Sequence, residues 1–192
     1  MKLGYLNETV ILIDVDFLNE KISENIAFYQ DLYPAKRFTP IKLNELILRF
    51  AENAWINVPG QRVNVIFAYS LTGCLLNFCN PSDLTFDIDN KSLSTPRGDF
   101  QLKAFFADEE ESNTWHFINI LNQLISDANV RKIVLVADNV ELNDEIEMNE
   151  YQKFKDLFLI KNSEGTHISL PVHYSNIDYL IAYSLELNQS EI

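Results

Sequence analysis

Val10-Ile11-Leu12-Ile13-Asp14-Val15-Asp16-Phe17-Leu18 begins with four apolar residues, three of them β-branched, that run straight into two carboxylates. A continuous apolar run of this length, rather than an alternating one, is the pattern of a strand buried on both faces of a parallel sheet. A carboxylate at the exit of such a strand is costly unless it is paired, hydrogen-bonded or bound to a cation. The pattern returns twice: Phe100 to Ala107 ends at Asp108, and Lys132 to Ala137 ends at Asp138. Ligands of open α/β sheets bind outside the carboxyl ends of the strands, so these acids mark the edge where chemistry is expected.

Working outward from that strand, Ile22, Ile26, Tyr29 and Leu32 fall at helical spacing, and Tyr33-Pro34 closes the helix. Thr39-Pro40 reads as the start of a second helix with Ile41, Leu43, Leu46, Ile47, Phe50 and Ala54 on its apolar face. After Pro59-Gly60, Arg62 to Tyr69 is a second core strand ending at Ser70. Thr85 to Asp89 alternates like an edge strand, and Asn90 to Asp99 has the Ser, Thr, Pro and Gly content of a loop. Ser112 or Asn113 caps a helix carrying Trp115, Ile118, Leu121, Leu124 and Ile125. Beyond Asp138 the pattern predicts a helix from Asn149 to Leu157, a strand at Phe158 to Ile160, a turn at Gly165 into His167 to Leu170, and a last helix from Asn176 to Leu187. Strands alternating with helices predict a Rossmann-like α/β fold, a three-layer sandwich with a mostly parallel central sheet, as one domain over residues 1–192.

Composition narrows the function classes. Hydrophobic residues make up 47% of the chain and only five are Gly, which is globular rather than linker composition. A formal net charge of −13 leaves no Lys/Arg field to displace counterions, which argues against long duplex DNA as a ligand. Cys74 and Cys79 stand in an apolar stretch with no zinc-type companions. No Gly-rich phosphate loop of the dinucleotide or P-loop type occurs, and His116, His167 and His173 adjoin no nucleophile motif. The start of the chain reads neither as a signal peptide nor as a membrane span, so the expected location is the cytoplasm.

The candidate site follows from the acids. Asp14 and Asp16, taken as strand residues two apart, face one side and converge on one Mg²⁺ or Mn²⁺ through oxygen ligands. Asp108 and Asp138 complete a metal set at neighbouring strand ends. Such an ion shields phosphate charge and lowers the pKa of a bound water, with Asp14 and Asp138 as the catalytic carboxylates. For each acid there is a plainer role, in a helix cap, a turn or a solvated edge. Ser70 is placed either to hold a phosphate oxygen or to satisfy a backbone group nearby. Glu109, Glu110 and Glu111 suit the dipole of the helix that follows, and Ser175-Asn176-Ile177-Asp178 fits a capping-box variant.

Ile11-Leu12-Ile13-Asp14-Val15-Asp16, together with Ile133-Val134-Leu135-Val136-Ala137-Asp138 and Glu141, resembles the PIN-like nucleases, in particular the NYN domains. Arg97-Gly98-Asp99 is loosely similar to that family's Lys-Gly-x-Asp element. The resemblance implies a Mg²⁺- or Mn²⁺-dependent ribonuclease with single-stranded RNA as partner, and Asp14, Asp138 and either Asp99 or Glu141 around the ion. The family's Asn three residues after its first Asp is Phe17 here, so the implied range runs from an active nuclease to a weakened or inactive relative. Asp14-Val15-Asp16 also resembles the opening Asp-x-Asp of haloacid dehalogenase-like phosphatases, which implies Asp14 as nucleophile and Asp16 as acid/base; Phe17-Leu18 replaces that family's Gly-Thr. A third reading is a non-catalytic interaction or regulatory module that holds a protein partner.

Overall fold

The computed structural model describes residues 3–56, 61–70, 73–95, 97–107, 112–162 and 172–187. In chain order its elements are β1 (Thr9–Asp14), α1 (Val15–Leu32), β2 (Ile41–Lys42), α2 (Leu43–Asn53), β3 (Arg62–Tyr69), β4 (Cys79–Asn80), a π-helical turn (Leu84–Ile88), β5 (Ser92–Thr95), β6 (Gly98–Phe106), α3 (Asn113–Ser126), β7 (Lys132–Val136), α4 (Val140–Asn149), a 3₁₀ turn (Tyr151–Lys153), β8 (Asp156–Lys161), β9 (His173–Asn176) and α5 (Ile177–Ser184). Seven strands form one sheet in the order β5-β6-β3-β1-β7-β8-β9. Every pairing in it is parallel except the β5–β6 hairpin.

All six residues of β1 are buried, because the strand is central and both of its faces are covered. Ile11 and Ile13 point into a core shared with Val65, Phe67, Val134 and Ile160 and roofed by α1, α2 and α5. Val10 and Leu12 point the other way, into a core with Ile66, Ala68, Leu135 and Leu159 under α3 and α4. The result is the Rossmann-like α/β sandwich. From β1 the chain moves to β3 on one side across the first face, and from β6 it returns by α3 across the second face to β7 on the other side. The strand order therefore reverses between β1 and β7, and their carboxyl ends flank the crevice where doubly wound folds bind ligands.

Several local expectations are corrected. The alternation at Thr85 to Asp89 is not a strand. Asp83 caps a π-helical turn by accepting from Thr85 N at 2.9 Å and Phe86 N at 2.8 Å, which buries Leu84 and Ile88 and leaves Phe86 exposed. The expected loop from Asn90 to Asp99 is largely the β5–β6 hairpin. Gly98 takes a φ of +145° there, and a Cβ would lie 2.7 Å from the Gln61 carbonyl oxygen, so only glycine fits. Ile41 and Lys42 do not open α2; they pair with Cys79 and Asn80, and the helix begins at Leu43. The helix expected at Asn149 lies earlier, as α4, because Asn139 caps it by accepting from Leu142 N at 2.7 Å. Gly165 and His167 to Leu170 lie outside the described residues.

No helix among the described residues is long and apolar enough to cross a membrane. The two-faced core makes a direct contrast testable. Phe67→Ala, at a fully buried position of β3, is expected to lower the unfolding free energy by about 3–5 kcal/mol in urea titrations. Phe86→Ala, on the exposed side of the π-turn, is expected to change it by less than about 0.5 kcal/mol. Equal effects would contradict the placement of the core.

Candidate functional site

Asp14 is the last residue of β1 and, at 6% exposure, the only buried acid among the described residues. Its carboxylate ends the strand by starting a helix: Oδ1 accepts from Asp16 N at 3.1 Å and Phe17 N at 3.3 Å, two N–H groups of the first turn of α1. This corrects the expectation that Asp14 and Asp16 lie along one strand. Asp16 stands in the first turn of α1, where its charge suits the helix dipole.

The two carboxylates nevertheless come together, through a residue from another layer. Asn113, the first residue of α3, donates from Nδ2 to Asp14 Oδ1 at 2.9 Å and to Asp16 Oδ2 at 3.0 Å. An amide nitrogen carries two protons, so one group serves both acids. Asn113 Oδ1 is buried and has no hydrogen-bond partner among the described residues. Ser70, just past β3, donates from Oγ to Asp16 Oδ1 at 3.4 Å. Gly73 closes this side: a Cβ there would sit 2.7 Å from Asp16 Oδ1 and 3.3 Å from Ser70 Oγ, so the backbone cradles the carboxylate where a side chain would displace it.

Burial is the main reason that the Asp14 pKa is raised from 3.8 to about 6. The Phe17 N–H opposes the rise, the charge of Asp16 adds to it, and the hydrogen bonds from Asp16 N and Asn113 lower it again. All three donors use Oδ1, so Oδ2 is uncommitted among the described residues.

The remaining candidates are placed differently. Asp138, half-buried two residues beyond β7, accepts from Asn162 N at 3.2 Å through Oδ2 and so ties the end of β7 to the end of β8. Asp108 and the run Glu109 to Glu111 lie outside the described residues, as does His167. Asp99 is corrected outright as a companion of Asp14: it pairs with Arg62 at the start of β3, six residues below the level of Asp14, or about 20 Å along the sheet. Glu141 is exposed in the first turn of α4. Asp178 follows the cap residue Asn176, which accepts from its N–H at 2.9 Å, and its own Oδ1 accepts from Asn25 Nδ2 at 2.9 Å. His116 is buried in α3, and the His173 ring packs on Trp55 with centroids 4.7 Å apart. No group of three or more His, Cys, Asp or Glu side chains is arranged to hold a metal ion among the described residues.

Fold and site thus define a doubly wound α/β protein with an amide-bridged acid pair at its switch point. The chain belongs to DUF6621, a family of unknown function, whose match covers residues 4–179, from before β1 into the first turn of α5. No curated protein and no solved structure matches it.

The electrostatics of Asp14 set a pH dependence with a definite sign. The folded chain binds this proton more tightly than the unfolded chain, so stability falls as pH rises from about 4 to about 6 and stays lower above that. The shift of roughly two pKa units corresponds to about 3 kcal/mol at most. Asp14→Asn retains an Oδ1 for all three donors and removes the charge. It is expected to be about 1–3 kcal/mol more stable than the wild type at pH 7 and no more stable at pH 4, measured by urea denaturation. A difference that does not vary with pH would contradict the burial argument.

Proposed function

We propose that this chain is a divalent-cation-dependent phosphodiester hydrolase acting on single-stranded RNA, with Asp14 and Asp16 as carboxylate ligands of Mg²⁺ or Mn²⁺. The observation that carries this reading is the gathering of two carboxylates, one buried, at the carboxyl edge of the sheet where its strand order reverses. Mg²⁺ is commonly held by one or two carboxylates, with water and substrate phosphate filling its other positions, so a pair suffices. The donors are hard oxygens, and Asp14 Oδ2 is uncommitted among the described residues. The Gly73 cradle and the buried Oδ1 of Asn113 are both features that an oxygen-ligated ion accounts for.

When bound, the ion supplies charge neutralisation at the phosphate and acidifies a water. The chain's own residues do the rest. Asp14 keeps a proton up to about pH 6 and releases it above, because burial disfavours its charge. Ser70 fixes the rotamer of Asp16, and the α1 cap fixes that of Asp14. Asp138, beyond the strand on the other lip of the crevice, is the carboxylate we assign to the attacking water. The net charge of −13 favours a short single strand over a long duplex.

A second reading, a non-catalytic interaction module, is favoured by one observation: Asp138 is engaged by a backbone N–H, and no third acid joins the pair among the described residues. Metal titration separates the two. At Mn²⁺ ten times its Kd the wild type gains about 1.4 kcal/mol, a rise in Tm of about 3 °C for a chain of this size. Asp14→Asn and Asp16→Asn are expected to show no rise. Wild type with Mn²⁺ is expected to cleave single-stranded RNA, and both variants to lose about 100-fold or more of that rate. Hydrolysis of a small phosphomonoester without RNA cleavage would favour phosphatase chemistry instead. Absence of any Tm shift at millimolar metal would leave the interaction module.

A further inference from the structure

Two adjoining helices carry large apolar side chains on their outer side. Phe28 and Leu32 of α1 are 58% and 54% exposed, and Tyr179 and Tyr183 of α5 are 56% and 36% exposed. They belong to one surface. Asn25 of α1 donates from Nδ2 to Asp178 Oδ1 at 2.9 Å, which pins the two helices together. Phe28 stands one turn beyond Asn25 and Tyr179 is the neighbour of Asp178, so both flank this joint; Leu32 and Tyr183 lie one further turn along their own helices. Burial raises the pKa of Tyr29 at the same joint, and the closeness of Asp178, Tyr33 and Tyr179 adds to the rise. Single exposed apolar residues are ordinary, but two i, i+4 pairs on adjoining helices make a patch of the kind that marks an interaction site.

The charge around the patch selects its occupant. On α1, Glu20, Glu24 and Asp31 are exposed and share the stripe next to Phe28, because offsets of four and seven residues return to one helix face. Together α1, α2 and α5 contain seven acids and two bases. Both bases are engaged: buried Lys21 donates to Glu24 at 2.6 Å, and the Arg49 guanidinium lies over the Tyr183 ring, 5.7 Å from its centroid. A second copy of the chain would bring another net charge of −13 and the same acid stripe against this one. A basic partner meets the stripe with opposite charge.

We infer that this face of α1 and α5 docks a basic amphipathic helix of another protein, its apolar stripe on Phe28, Leu32, Tyr179 and Tyr183 and its Lys/Arg side chains on Glu20, Glu24 and Asp31. A helix is the occupant because the apolar pairs on both sides have i, i+4 spacing, and ridges of that kind interdigitate with those of a further helix. The tyrosine rings, one of them stacked under Arg49, supply the rigid aromatic contacts that dominate such interfaces. The surface is separate from the acid pair at the end of β1, so the inference does not depend on the cation reading.

The test uses two synthetic peptides of the length of α1 that share one Leu stripe at helical spacing and differ only beside it, with Lys in one and Glu in the other. Binding to the full chain is read by fluorescence anisotropy at low and at physiological salt. The Lys peptide is expected to bind one-to-one, about 10-fold or more tightly than the Glu peptide, and to weaken as salt rises. Phe28→Ala and Tyr179→Ala are each expected to weaken it about 10-fold. Glu20→Lys together with Asp31→Lys is expected to weaken it about 5-fold and flatten the salt dependence. All four positions are exposed, so the Tm of each variant is expected to stay within about 2 °C of wild type. Trp115→Ala, exposed on α3 across the sheet, is expected to bind as wild type does. Equal affinity for the two peptides, undiminished affinity in Tyr179→Ala, or no binding of the Lys peptide at about 1 mM would overturn the inference. So would a wild type that sediments as a dimer and becomes monomeric in Tyr179→Ala, because a second copy would then be the occupant.

Discussion

The carboxylate of Asp14 is the constraint around which the carboxyl edge of this sheet is built. It terminates the central strand, caps α1 with no intervening loop, and accepts from the first residue of α3. Because Asp14 continues the row of Val10 and Leu12, its side chain belongs to the α3 and α4 face, whereas α1 departs to cover the other. Asn113 therefore bridges two layers of the sandwich when it reaches Asp16. Two helices and the central strand meet at one buried charge, and that is a polar connection between layers otherwise joined by apolar packing.

The placement of this junction is a consequence of connection geometry rather than of the residues at the site. A parallel pair needs a crossover that covers one face, and right-handed crossovers in opposite directions from the centre must use opposite faces. Moving first to β3 and later to β7 leaves the ends of β1 and β7 without a covering connection of their own. A buried acid elsewhere in the sheet would be enclosed by side chains on all sides. Here it stands at the end of the central strand, where burial raises its pKa to about 6.

Much of this was legible in the sequence. The runs at Val10 to Ile13, Val63 to Tyr69 and Ile133 to Val136 are strands because nothing but burial on both faces explains consecutive β-branched and aromatic residues. The edge on which the acids fall followed from the same runs. What misled was local side-chain to backbone bonding. Asp14, Asp83 and Asn139 each turn the chain into a helix by accepting one or two N–H groups, and a hydropathy pattern carries no trace of that competition. The strand thus ends two residues sooner than the Asp-Val-Asp spacing suggests, and Asp16 reaches its partner from a helix. Asn113 was visible only as a possible cap. Its part at the site depends on contacts 97 and 99 residues away in sequence, which no periodicity encodes.

The choice of an acid at position 14 is itself informative. Among the described residues every hydrogen bond made to Asp14 goes to one oxygen, and an asparagine would present the same acceptor to the same three donors, since both residues are good helix caps. What the carboxylate adds is a second oxygen and a negative charge. Burial opposes that charge, and so does Asp16 beside it. Such a charge costs stability without adding a hydrogen bond, and perturbed groups of this kind cluster at functional sites. The surrounding structure is consistent with this: glycine where a Cβ would push Asp16 aside, and an amide whose oxygen is buried beside the acid pair.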